Sequence, residues 1–224
     1  MLQDYLDALS TIVRGVPTTL YITFGGLILA FIIATLCTTA KIIGPKPLGK
    51  VVDLYVLVFS GTPLLFQYFI FYYSPTQFSS LQGTWLLELF SNTWFVAILT
   101  CGLNSGAYTT IIFSGAIKNI DQGQWEVCRS MGLSKFQTYK LLFPYGLRRV
   151  LPTYSNEVIL LFKGTSLVSM ITVTDIFGYA KNYYGETYDA ITAFVSAGII
   201  YLIISMVLTL ALRVVEKNWL KYAI

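Results

Sequence analysis

Two ionisable residues six apart, Glu157 and Lys163, stand inside an otherwise apolar run, VILLFKGTSLVSM with YSNE before it. A charge in such surroundings is expensive to keep, which makes each a candidate for function. Six residues of helix rise about 9 Å, so a carboxylate and an ammonium at this spacing can bind the two ends of a charged solute. In that arrangement Glu157 takes the cationic end. Lys163, with Thr165, Ser166 and backbone amides freed by a helix break at Gly164, takes the anionic end. Geometry raises an objection: on an intact helix, residues six apart point about 240° from each other. One ligand reaches both only if the helix unwinds or both side chains converge on a cavity. The plainer alternative places Glu157 near an interface and lets Lys163 snorkel or pair with another chain. Thr62, Gln67 and Asn104 form a second polar set in apolar surroundings, able to line the same path or to hydrogen-bond helix to helix. The chemistry on offer is binding. There is no histidine among the 224 residues, which excludes His-based catalysis and His metal sites, and no catalytic residues or metal ligands are assigned.

The elements that must position these residues are membrane helices. The chain is 55% hydrophobic and 12% charged, with a mean hydropathy of +0.67. A soluble domain carries about 25% charged residues, so the expected class is an all-α, multi-pass membrane protein. Five stretches are long and apolar enough to cross a bilayer, at 17–40, 51–74, 93–117, 153–177 and 189–212. The fourth, which holds Glu157 and Lys163, is the least clean. Residues 1–16 place Leu2, Leu6, Leu9 and Val13 at helical spacing. They are expected to form an outer interfacial helix, or simply a helical lead-in to the first span. No cleavable signal pattern precedes it. The expected organisation is therefore this lead-in at 1–16, a transmembrane domain at 17–217 with a loop at 118–152, and a tail at 213–224. Cys37 and Cys101 read as small buried hydrophobes, and Trp85, Trp94 and Trp219 as interfacial anchors.

Basic residues set the orientation. Lys41, Lys46 and Lys50 follow the first span; Lys118, Arg129, Lys135, Lys140, Arg148 and Arg149 follow the third; Arg213, Lys217 and Lys221 follow the fifth. The intervening segment at 75–92 has none, and 178–188 has only Lys181, beside Glu186. Positive residues mark the cytoplasmic side, so the N-terminus is expected outside and the C-terminus and the 118–152 loop inside.

That loop is punctuated like a folded unit. Asp121 can N-cap a helix through Trp125, Cys128 and Met131, and Gly132 falls where a left-handed C-terminal cap belongs. Ser134 and Gln137 make a capping-box pattern for a second helix, which Pro144 is expected to end. Trp125, Cys128 and Met131, then Phe136, Tyr139 and Phe143, recur at intervals of three and four. They form an apolar stripe that leaves Glu126, Arg129, Lys135 and Lys140 to water or a partner.

The residue pattern of this loop, Glu126-Val127-Cys128-Arg129-Ser130-Met131-Gly132, resembles the coupling loop of permease subunits of bacterial ABC importers. Val127 and Cys128 stand where two alanines are usual, and Pro144 comes one residue early. Ser60-Gly-Thr-Pro-Leu-Leu-Phe-Gln67 is similar to a signature of the polar amino-acid permeases within that family. So, in this order, are Asn104 to Tyr108, Gly115 to Ile117, Gly123 to Trp125, Asn156-Glu157 and Lys163 to Ser166. The resemblance covers nearly the whole chain. It implies the type I permease fold and a coupling segment of Glu126, Val127, Cys128, Gly132 and Leu133 that docks on an ATPase. It also implies a cationic amino acid as cargo, with L-arginine expected and histidine, lysine and ornithine open. The guanidinium then falls to Glu157 and the α-carboxylate to the Lys163 group. The implied partners are an ATPase dimer that uses ATP and Mg, a second permease subunit, expected to be a paralogue, and a periplasmic binding protein. No cofactor is expected on this chain and nucleic acid is not among its partners. Two other classes compete. A stand-alone ion-coupled transporter or channel predicts carboxylates in several spans or an inverted repeat. A membrane enzyme predicts a nucleophile and base or a clustered ligand set. The sequence shows neither pattern.

Overall fold

The computed structural model describes residues 2–220, and these residues are helical with no strand among them. In chain order the helices are α1 (Leu2–Ile12), α2 (Val16–Ile43), α3 (Lys46–Gly61), α4 (Leu64–Tyr73), α5 (Trp85–Ser91) and α6 (Thr93–Lys118), followed by α7 (Gln122–Ser130), α8 (Lys135–Arg149), α9 (Leu151–Gly164), α10 (Ile176–Thr187) and α11 (Ala190–Leu220). Three unbroken helical runs are long and apolar enough to cross a membrane: α1 continued into α2, α6, and α11. Two bent helix pairs, α3 with α4 and α9 with α10, pass the same test when each pair is taken as one span.

The centre of the bundle is the pair α2 and α6. Along α2 the buried positions are small or β-branched, among them Thr19, Thr23, Gly26, Ala30, Ala34 and Thr38. Small residues let membrane helices approach until backbones touch side chains directly. A Cβ built on Gly102 would lie 2.5 Å from Leu29 Cδ2, and one on Gly106 would lie 2.9 Å from Tyr55 Oη. Around this pair, Ile22, Tyr68, Val96, Ala97, Val168 and Ile171 make one core cluster. A second joins Ala8 and Ile12 of α1 to Ile176, Ala180, Ala197 and Ile200. Residues 2–16 therefore do not lie apart from the bundle. From Leu2 onward, α1 runs through a short 3-10 turn, Val13–Gly15, straight into α2, packed on α10 and α11.

Both bent crossings depart from the expected straight spans. The stretch 51–74 is two helices, α3 and α4, meeting at 103° around Thr62 and Pro63. Proline has no N–H to continue a helix and pushes the residue before it to extended backbone; Thr62 sits at φ −116°, ψ 144°. The stretch 153–177 does not unwind at Gly164. There α9 tightens into a 3-10 helix, Thr165–Ile171, and the break comes later, at Thr172, which has φ +71°. Left-handed backbone is costly for a β-branched residue. After this break α10 begins with full capping: Asp175 accepts from Gly178 N at 2.8 Å and Thr19 Oγ1 accepts from Ile176 N at 3.2 Å. Asp175 is completely buried and also accepts from Tyr201 Oη, so it does not greet solvent or a cation at an outer surface. Residues 178–188, read from sequence as an outer loop, are mostly helix α10.

The segment after α6 folds as two short helices. Gly132 adopts φ +70°, with Leu133 N donating to Cys128 O at 3.1 Å and Gly132 N to Arg129 O at 2.9 Å. These two bonds form a Schellman motif. Ser134 and Gln137 make the reciprocal capping box. Asp121 occupies the N-cap of α7 without a side-chain capping bond. Pro144 does not end the second helix: α8 runs on to Arg149. Packing outweighs the lost hydrogen bond, because Leu142 and Gly146 are buried, and a Cβ on Gly146 would lie 3.2 Å from Ile117.

Candidate functional site

A cavity of about 260 Å³ opens beside the break between α3 and α4. Its walls are Leu64 of α4, Cys101, Asn104, Ser105 and Tyr108 of α6, and Glu157, Leu160 and Leu161 of α9. Helical spacing explains the set: residues 101, 104, 105 and 108 lie on one face, as do 157, 160 and 161. Glu157 is 7% exposed and its Oε1 accepts a 2.6 Å hydrogen bond from Ser105 Oγ. A carboxylate held in an apolar bundle by a single neutral donor leaves most of its acceptor capacity unused.

Thr62, Gln67 and Asn104 come together, and their first task is to repair the broken helix. Gln67 Nε2 donates to the carbonyls of Phe59 and Thr62 and to Thr62 Oγ1, at 2.8, 3.1 and 2.8 Å. Asn104 Nδ2 donates to Phe59 O at 2.9 Å and to Gln67 Oε1 at 3.3 Å. Carbonyls that the bend frees are thus satisfied by side chains, as backbone groups within a membrane must be. Asn104 alone of the three lines the cavity.

Lys163 does not join them. It is exposed and lies in a different groove, with Ile159 and with Leu202, Ser205, Met206, Thr209, Leu210 and Arg213 of α11. With α9 intact through Gly164, the angular objection holds and Glu157 and Lys163 face different neighbours. Thr165 and Ser166 spend their hydroxyls on carbonyls of their own helix, Phe162 O and Lys163 O. Leu64, Cys101, Ser105, Tyr108, Leu160 and Leu161, absent from the sequence-derived set, complete the cavity. Tyr108 is four residues from Asn104, a helical-face signal that was present in the sequence.

On the α7–α8 unit, Cys128 is buried with Ile117, Ile120, Tyr139 and Leu142. Val127, Met131, Phe136 and Leu141 are exposed, at 57, 68, 61 and 58%. Met131 and Phe136 therefore do not belong to an inward stripe, as their spacing suggested; they face outward with Glu126. An open hollow between the helices is lined by Gly123, Gln124, Val127, Cys128, Leu141, Leu142 and Tyr145. A small helical unit that displays four large apolar side chains has the character of a docking surface.

A broken-span helical bundle with a buried carboxylate in a cavity and an apolar handle beyond the spans defines a transport component of the membrane. The chain belongs to the family of binding-protein-dependent transport system inner membrane components, whose model matches residues 2–221. It is 48% identical to the arginine ABC transporter permease protein ArtM of Haemophilus influenzae, over 99% of this chain and 96% of that protein. The ArtM of Escherichia coli K12 is 43% identical over 96% of this chain and 97% of its own length. The histidine/lysine/arginine/ornithine transport system permease protein HisM of Salmonella typhimurium is 35% identical over 93% of this chain and 89% of its own. In fold, the chain matches a crystal structure of an amino acid ABC transporter with histidines at a TM-score of 0.83 and 23% identity, covering 95% of this chain and 96% of that one.

Proposed function

We propose that this chain is the permease subunit of an ABC importer that carries a cationic amino acid, L-arginine, across the bacterial inner membrane. The observation that carries this reading is Glu157: a carboxylate more than nine-tenths buried, in a cavity at a helix break, with one neutral hydrogen-bond donor. Such a group gains from a cation that brings several N–H donors, and a guanidinium does so. The two relatives named as arginine permeases support the choice of cargo. HisM, whose name includes histidine, lysine and ornithine, marks the alternative cargoes.

In this reading the α7–α8 unit lies in the cytoplasm, the C-terminus with it and the N-terminus in the periplasm, as the placement of Lys and Arg supports. Glu126, Val127, Cys128, Gly132 and Leu133 form the coupling segment for an ATPase dimer. That dimer uses ATP and Mg, while this chain binds no cofactor of its own. A second permease subunit, a paralogue, completes the path, and a periplasmic binding protein delivers the amino acid. Closure of the ATPases turns the subunits through this handle and exposes the cavity to one side and then the other.

Glu157→Gln tests the assignment. Arginine uptake in reconstituted vesicles is expected to be lost while co-purification with the partner subunits is retained. Normal uptake by that variant would remove Glu157 from the substrate path.

A further inference from the structure

Between the end of α2 and the α7–α8 unit lies a further pocket, of about 230 Å³. Its polar lining consists of Trp125 and Arg129 from α7 and Lys135 and Thr138 from α8. All four carry hydrogen-bond donors, and no carboxylate lines the pocket. Neither cation is within ion-pair reach of an acid among the described residues, whereas Lys41, one residue before the pocket wall, is paired with Asp53. Thr138 is 5% exposed, and its hydroxyl has no partner among the described residues. The indole N–H of Trp125 likewise has no acceptor among them.

Buried polar groups normally find partners, so a hydroxyl left in this way marks a place for one. Lys135 adds a second signal. It is the first residue of α8, and the dipole disfavours positive charge at that end of a helix. An anion between Arg129 and Lys135 removes the conflict and takes up the free donors.

The rest of the wall selects the kind of anion. Ile42 and Ile43, the last two residues of α2, form its apolar side together with Leu133. A soluble anion gains nothing from such a wall, whereas the glycerol and acyl portions of a phospholipid do. An indole at the end of a membrane crossing fits the same setting, and basic pockets beside membrane helices hold acidic lipid headgroups. Of the segment proposed to couple to the ATPase, only Leu133 borders the pocket. Val127, Met131, Phe136 and Leu141, the exposed apolar residues of the handle, do not.

We propose that this pocket binds the phosphate of an acidic phospholipid, of the phosphatidylglycerol type, from the leaflet on the α7–α8 side of the membrane. Arg129 and Lys135 flank the phosphate across the turn at Gly132, and Thr138 and Trp125 donate to its oxygens. The lipid ties the handle to the end of α2, whatever occupies the cavity at Glu157.

Native mass spectrometry of the whole transporter, titrated with dioctanoyl phosphatidylglycerol, measures this binding. A basic residue close to a membrane surface is worth about fivefold in affinity, so Arg129→Gln with Lys135→Gln is expected to weaken binding about 25-fold. Both side chains are exposed, so the fold should tolerate the change, and a thermal melt without lipid checks that it does. Lys140→Gln removes a charge from the same helix but outside the pocket, and should leave the affinity unchanged. Arg129→Lys with Lys135→Arg should retain binding, while dioctanoyl phosphatidylcholine should bind weakly and equally in all variants. Equal losses in Lys140→Gln and the double Gln variant would trace the effect to general charge and overturn the proposal. Glycerophosphoglycerol, the headgroup without chains, would overturn it by binding as tightly as the lipid, since the ligand would then be a soluble anion. Loss of ATPase co-purification in the double Gln variant would make the pocket an ATPase contact, which also overturns it.

Discussion

Asn104 and Gln67 show how one side chain serves structure and site together. Each donates to carbonyls that the bend at Thr62–Pro63 releases, and Asn104 also forms cavity wall. Leaving a buried acceptor unpaired costs about 1–3 kcal/mol. Gln67→Leu, which removes three donated bonds at once, is therefore expected to lower the detergent unfolding temperature clearly. Asn104→Ala should do so less, because Phe59 O keeps Gln67 as a partner. A thermal melt of the purified protein distinguishes them, and equal, negligible shifts would mean that water replaces these donors. Asp175 belongs to the same category of polar residue whose role is internal: it caps α10 and accepts from Tyr201 rather than meeting a solute.

Among the elements, α2 and α6 set the tolerance of the whole bundle. Their contact relies on missing side chains at Gly26, Gly102 and Gly106. Gly102→Ala would place a methyl 2.5 Å from Leu29, and the displacement of Leu29 is expected to cost about 1–3 kcal/mol. Paired Leu29→Ala should recover part of that loss, a double-mutant comparison readable by thermal unfolding. Gly132 is limited by backbone instead. Nothing lies within 4 Å of its Cβ position, yet its φ is +70°, so Gly132→Ala strains the turn between α7 and α8 by roughly 1–2 kcal/mol without disturbing any packing. Both bent crossings put their breaks where the chain supplies side chains to satisfy carbonyls or amides.

For the molecule as a whole, the cavity and the α7–α8 handle are joined through α9, which carries Glu157 and follows directly on α8. In the proposed transport cycle the handle acts on the cavity through α9, which begins two residues after α8 ends. Met131→Glu with Phe136→Glu adds charge to a surface that is already exposed, so folding and membrane insertion are expected to be unchanged. Co-purification with the ATPase should be lost and arginine-stimulated ATP hydrolysis with it. Retained coupling in that double variant would place the docking surface elsewhere on the loop.

The sequence by itself determined the class, because the length and hydropathy of membrane helices answer to the bilayer and not to tertiary contacts. It also determined the Schellman turn at Gly132 and the capping box at Ser134 and Gln137, since those bonds join near neighbours. It placed Glu157 and Asn104 among the functional candidates on polarity alone. Only the tertiary structure decided that Glu157 and Lys163 face different grooves, because which side of α9 meets α6 and which meets α11 depends on the packing of three helices. The same holds for Pro144, kept inside α8 by burial of its neighbours, and for Met131 and Phe136. Periodicity shows that residues share a face, but what that face meets is fixed by the rest of the chain, or by a partner.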